Sequence, residues 1–158
     1  MALRKRNLPH FQEADAVYFV TFRRKAEVDV DLTGAAAAEA IVGALRYFAG
    51  VRYRLYDYTV MPDHVHVILQ PLARDGQFEP LHKIMHGIKS WTANQINRAV
   101  GRSGSLWLDE SHDHVLRGPR DYREKARYIW SNPVQAGLID DAAEWPWWGN
   151  GQREEGQE

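Results

Sequence analysis

The stretch "MPDHVHVILQP" holds two histidines, His64 and His66, separated by one valine in an otherwise aliphatic segment. On a β-strand, residues i and i+2 share a face, so the two imidazoles stand side by side while Val65, Val67 and Leu69 turn to the opposite face. Such a pair is either hydrogen-bonded or part of a metal site. The chain has no cysteine, so a metal would need His, carboxylate or amide ligands. Two further pairs compete. His82 and His86 are four apart on a predicted helix, a spacing that can chelate, but "HKIMH" lacks the glutamate of a helical HExxH site. They fit a polar stripe opposite Leu81, Ile84, Met85, Ile88 and Ile96. His112 and His114, in "SHDHVL", also share a strand face and rank nearly as well as the first pair.

A second cluster lies in "GPRDYREKARYIWSNPVQAGL". Tyr122, Ala126 and Ile129 are spaced i, i+4, i+7, and this stripe should pack on a sheet. Tyr128 falls on another face with Asp121, Lys125 and Asn132, where its hydroxyl can meet solvent or a cleft. Asn132, one turn further, can bring an amide oxygen beside that hydroxyl if the helix continues. Alternatively it caps a new short helix whose first position is Pro133.

The elements that position these groups follow from patterning. "AVYFVTFRR" reads as a strand over 16–23, and the alanine-rich "AAAAEAIVGALRYFAG" as a helix stopped by Gly50. "VRYRLYDYTVM" and "HVHVILQP" read as neighbouring strands around a "PD" turn. A helix fits 79–100, closed by "GRSG"; one more strand, with a break, fits "SLWLDESHDHVLRG"; and a third helix starts at Pro119. The order β-α-β-β-α-β-α predicts an α+β fold, a ferredoxin-like split β-α-β sandwich with helices packed on an antiparallel sheet.

At 158 residues the chain is expected to form one domain over 1–150, with the acidic, polar 151–158 as a disordered tail. No apolar run reaches membrane-spanning length and no signal-peptide core is evident, so a soluble, cytoplasmic protein is expected. The net charge of −1 argues against a uniformly basic nucleic-acid binder but leaves room for patches. Residues 80–108 hold no acidic side chain, yet include Lys89, Arg98 and Arg102, and Arg4, Lys5 and Arg6 crowd the N-terminus. With six Trp and seven Tyr, such cations can track a phosphate backbone while aromatics stack bases, at about 1–3 kcal/mol per base. Most of these aromatics could equally be core. No GxSxG elbow, GxxxxGK[ST] loop or strand-to-helix GxGxxG is present.

"MPDHVHVIL", followed by "KSWTANQINRAVGRSGSLW", "DHVLR" and "ARYIWSNPVQAGL", resembles the REP-associated tyrosine transposases, relatives of the single-tyrosine HUH transposases of insertion sequences. The resemblance runs from about Tyr18 through Trp148, and the pairing of "MPxHVH" with "YIxxNPVxAGL" carries it. It implies a single-stranded DNA endonuclease and strand transferase acting on hairpin-forming repeats, here repetitive extragenic palindromes. It makes Tyr128 the nucleophile, His64 and His66 ligands of a divalent metal (Mg²⁺ or Mn²⁺), and Asn132 the third ligand, where insertion-sequence relatives carry glutamine. Asp63 stands where the family often has asparagine; alternation puts it off the histidine face, with no catalytic role. An ordinary phenol is ionised to only about one part in a thousand at neutral pH, so attack on a phosphodiester needs the metal's charge. The resemblance further implies a 5′-phosphotyrosine link with a free 3′-hydroxyl, and a monomer or homodimer. A non-catalytic nucleic-acid-binding module on the same fold is the alternative, and a phosphoesterase using water in place of tyrosine is a third possibility.

Overall fold

The computed structural model describes Leu8, Pro9, Phe11 and residues 16–152. Its elements run β1 (Val17–Arg23), α1 (Ala35–Phe48), β2 (Tyr53–Val60), β3 (His64–Pro71), a short hairpin of β4 (Ala73–Arg74) and β5 (Gln77–Phe78), α2 (Leu81–Val100), β6 (His112–Leu116), α3 (Pro119–Gln135), a 3₁₀ turn over Ala142–Glu144 and β7 (Trp148–Asn150). The main sheet has the order β6-β1-β3-β2-β7, and every pairing in it is antiparallel. Within it, β6-β1-β3-β2 is the expected split β-α-β arrangement, and β7 extends it beyond β2.

Alternation along the strands divides the sheet into two faces. Val20, Phe22, Val65, Val67 and Leu69 form one core with Ile41 and Leu45 of α1 and Ile84 and Ile88 of α2. On the other face Val17, Phe19, Ile68 and Leu116 pack against Tyr122, Ala126 and Ile129 of α3. The histidines of β3 are on the α3 side, because they alternate with Val65 and Val67. Thus α3 is the described helix that covers the face carrying the candidate chemistry, with Leu8, Phe11 and Trp148 also packed there.

Three features depart from the sequence reading. The helix from Pro119 does not break at Asn132 to restart at Pro133; α3 runs unbroken to Gln135. Proline lacks an N–H and costs the helix one backbone bond. Its buried ring is retained two residues from the helix end, where the backbone N–H groups of Ala136 and Leu138 already close on Asn132 and Pro133 (2.9 Å each). The strand expected over "SLWLDESHDHVLRG" does break, as anticipated, but its first part is only a bridge at Trp107 to Arg24, with the five-residue β6 after the break. Trp107 instead packs edge-on against Phe22 and donates its indole N–H to Thr92 Oγ1 at 3.0 Å. Finally, β7 and the β4–β5 hairpin are additional; the hairpin turns at Asp75 and Gly76, both with positive φ (53° and 78°), as tight hairpin turns require. Gly151 and Gln152, assigned to the tail by sequence, are tied to β2 through Tyr56 and Leu55 carbonyls. The remainder of the tail lies outside the described residues.

Candidate active site

On the α3 side, cross-strand register sets His66 of β3 between Thr21 of β1 and Thr59 of β2, and His64 opposite Arg23. His66 is 3% exposed. Its Nδ1 is 2.8 Å from Thr21 Oγ1, while its Nε2 is buried without a hydrogen-bond partner. Burial, first, and then the nearby charges of His64, Arg23 and Lys125 push its pKa down to about 3, so the ring is neutral at physiological pH. His64 lies 4.7 Å from it, centroid to centroid, with the rings steeply inclined. The Nδ1–H of His64 donates to Asp63 Oδ1 at 2.6 Å. A carboxylate can only accept, so this bond puts a proton on Nδ1, and in the neutral ring the lone pair is on Nε2, away from Asp63. The same bond holds the Asp63 carboxyl below its usual range.

Helix α3 brings the second cluster to this pair. With Tyr122, Ala126 and Ile129 buried against the sheet, the neighbouring stripe of Lys125, Tyr128 and Asn132 runs along the edge of the contact. Tyr128 is 47% exposed, yet its ring meets His66 edge-on at 5.3 Å and Phe19 at 6.1 Å. Phe19 is the floor of the cluster: His66 stacks on it at 5.3 Å and the Lys125 ammonium sits 5.3 Å from its centroid. Asn132 is inside the helix, not at a cap, and its Oδ1 is buried without a hydrogen-bond partner.

Buried polar atoms are normally satisfied, so the orphans here, His66 Nε2 with Thr59 Oγ1 beside it on the sheet and Asn132 Oδ1 on the helix, call for a reason. A cation held by neutral imidazole and amide donors would satisfy His66 Nε2 and Asn132 Oδ1, and this donor set suits a divalent metal. Among the described residues no three His, Asp or Glu side chains cluster to hold a metal by themselves.

The other candidates divide. His112 and His114 are exposed on the edge strand β6 of the same face, opposite Thr21 and Phe19, and the His114 ring lies 6.3 Å from that of Phe19, at the border of the cluster. His82 and His86 are also exposed and line a separate cleft of about 1060 Å³ between α2 and the β6 edge, on the far side of the sheet. Of the candidate phosphate contacts, Lys89 donates to the carbonyls of Leu108 and Asp109 (2.9 and 3.2 Å), and burial lowers its pKa. Arg102 donates to Asn97 Oδ1 at 2.6 Å and to the Ser105 carbonyl at 3.2 Å, whereas Arg98 is exposed. Arg4, Lys5 and Arg6 lie outside the described residues.

Sequence reasoning missed three neighbours of the site, Asp63, Arg23 and Phe19, and gave Lys125, which it placed on the Tyr128 face, no part beside the histidines. Asp63 was set aside by alternation, but β3 begins at His64, and a residue before the strand need not alternate with it. Arg23 and Lys125 are legible only once β1 and α3 are known to flank His66.

The fold and this cluster define a class: an antiparallel split β-α-β sheet presenting a histidine pair to a helix-borne tyrosine. No family model matches the chain. It is 26% identical over 94 residues (60% of this chain, 52% of the relative) to the REP-associated tyrosine transposase of Escherichia coli (strain K12). It is 25% identical over 97 residues (56% and 53%) to a Haemophilus influenzae protein that carries the same family name. The chain therefore spans about half the length of the curated relatives it matches. A solved structure, a REP-associated tyrosine transposase bound to a REP hairpin, superposes with a TM-score of 0.66 at 22% identity, covering 84% of this chain and 75% of that one. The chain is thus related in sequence and similar in fold to the REP-associated tyrosine transposases, the family its motifs resemble. Among the described residues no helix is long and apolar enough to cross a membrane.

Proposed function

We propose that the chain is a metal-dependent endonuclease and strand transferase for single-stranded, hairpin-forming DNA, with Tyr128 as its nucleophile. The observation that carries this is the meeting of a half-exposed tyrosine ring with His66, whose Nε2 is buried without a hydrogen-bond partner. His64, His66 and Asn132 would hold the divalent ion, Mg²⁺ or Mn²⁺, which would supply positive charge at the scissile phosphate.

The chain's own residues account for the rest. Thr21 and Asp63 orient the two imidazoles, and burial keeps His66 neutral, so its ring remains a donor of a nitrogen lone pair. Tyr128 is exposed enough for a phosphodiester to reach and is braced by Phe19 and His66, which narrows the directions its hydroxyl can take. In the cut, Tyr128 Oη bonds to phosphorus as the bond from phosphorus to the 3′-oxygen breaks. The phenolic proton is lost to solvent and the leaving 3′-oxygen takes one up. One phosphodiester replaces another, so a different 3′-hydroxyl can reverse the step without ATP. Arg23 and Lys125 place positive charge beside His66, where the phosphate would lie.

Hairpin DNA as substrate rests on the relative that binds one; the exposed Arg98, with the N-terminal Arg4, Lys5 and Arg6, would add phosphate contacts, whereas Lys89 and Arg102, expected from sequence to join them, are engaged by protein acceptors. The test is cleavage of a hairpin oligonucleotide with a single-stranded flank, with Mn²⁺ or with chelator. Metal-dependent nicking, lost in His64→Ala and in His66→Ala, is expected. DNA binding with no nicking under any metal would leave a non-catalytic binding module in its place.

A further inference from the structure

The α3 face of the sheet holds a buried carboxylate that the proposed chemistry does not use. Leu55 pairs with Leu69 and Tyr58 with Val67, so Tyr56 and Asp57 together oppose the single residue Ile68. This is a β-bulge, and it turns two consecutive residues toward one face. Tyr56 joins the α3 core, and Asp57, fully buried, accepts a hydrogen bond from the Tyr122 hydroxyl at 2.5 Å. Asp57 also accepts from Asn150 Nδ2 of β7 at 3.0 Å. The carboxylate thereby joins a strand, the edge of the sheet and the helix that carries Tyr128.

Resting on the proposed function, the geometry points to Asp57 and Tyr122 as positioning residues that fix the rotational setting of α3, and so the reach of Tyr128 and Asn132 to His66. The apolar contacts of Ala126 and Ile129 are non-directional and tolerate a small roll of the helix. A buried, charge-assisted hydrogen bond does not. A roll of about 10° would carry a tyrosine hydroxyl roughly 1 Å, a displacement that can cost about a hundredfold in rate. Tyr122 is six residues from Tyr128 on the same rigid helix, and burial, with the adjacent Asp57 charge, raises its pKa, so its hydroxyl keeps the proton it donates.

The experiment compares Tyr122→Phe and Asp57→Asn with Ile84→Val, a loss of packing in the opposite core, at a temperature far below every variant's Tm. Single-turnover cleavage at saturating hairpin DNA is measured beside Kd. Tyr122→Phe and Asp57→Asn are expected to lose at least tenfold in rate with Kd unchanged, and Ile84→Val to lose none. A second readout needs no activity: in protein labelled with 3-fluorotyrosine, the ¹⁹F resonance of Tyr128, assigned with Tyr128→Phe, should shift in Asp57→Asn and stay in place in Ile84→Val. If Tm falls while both the cleavage rate and the Tyr128 resonance match the parent protein, the pair is merely structural and the inference is overturned. A parent protein that never cleaves would instead remove the proposed function, and the ¹⁹F shift alone would then decide the positioning.

Discussion

At the scale of single residues, His66 is held by burial, by Thr21 and by the ring of Phe19. Its folded pKa of about 3 lies below the unfolded value near 6.5. A group depressed in this way leaves the fold fully stable above about pH 6.5; stability is lost as pH falls from there toward about 3, because the unfolded chain binds a proton that the native ring refuses. Urea unfolding at pH 7, 5.5 and 4.5 should show a loss of up to about 1.4 kcal/mol per pH unit from this residue. His66→Gln should flatten the profile; an unchanged profile would assign the acid sensitivity elsewhere. Asp63 makes a second prediction. Since its carboxylate orients His64, Asp63→Ala should weaken Mn²⁺ binding about 10- to 100-fold by calorimetry without abolishing it. The histidine pair was legible in the sequence because alternation alone puts both rings on one face. Asp63 was not, because its contact depends on how the chain enters the strand.

At the scale of elements, α3 decides between two readings of Asn132. Capping asparagines lose about 1 kcal/mol on replacement by alanine. An asparagine inside a helix gains from alanine's higher propensity, by up to about 0.7 kcal/mol, and here alanine also removes a buried orphan oxygen. Asn132→Ala is therefore expected to unfold at an equal or higher urea concentration than the parent in metal-free buffer, while binding Mn²⁺ more weakly. A loss of about 1 kcal/mol would restore the capping role. The strand β3 was readable to its last residue, since a turn signal and Pro71 bracket an alternating run. The bulge in β2 was not, because "LYDYTV" alternates like any regular strand, and an extra residue shows only against its partner's register. At three residues, β7 is too short for any period to register.

At the scale of the whole molecule, the sheet separates two surfaces. The histidines and Tyr128 lie under α3, whereas the acid-free α2 with Arg98 packs on the opposite face, beside the cleft lined by His82 and His86. The sequence could show that 80–108 is basic but not which side of the sheet it occupies. The structure also separates Arg98 from Lys89 by role. Arg98→Ala should reduce the salt slope of single-strand binding by about 0.7. Lys89→Ala, by releasing the Leu108 and Asp109 carbonyls, should mainly lower Tm. Affinity titrations at several salt concentrations, beside thermal melts, separate the two; equal slopes for parent and Arg98→Ala would mean that this face is solvated and takes no part in binding.

The central claim is that a tyrosine on α3, held against His66, attacks DNA. It is tested most directly by incubating the chain with a 5′-flanked hairpin oligonucleotide and Mn²⁺, isolating any denaturant-resistant adduct and mapping the attached peptide. The account predicts attachment at Tyr128 through the 5′-phosphate of the cut, with adduct and cleavage both absent in Tyr128→Phe and hairpin affinity nearly unchanged, since the hydroxyl serves the transition state more than the bound ground state. Attachment at Tyr122 or any other of the chain's seven tyrosines, or cleavage by Tyr128→Phe at the parent's rate, would contradict it.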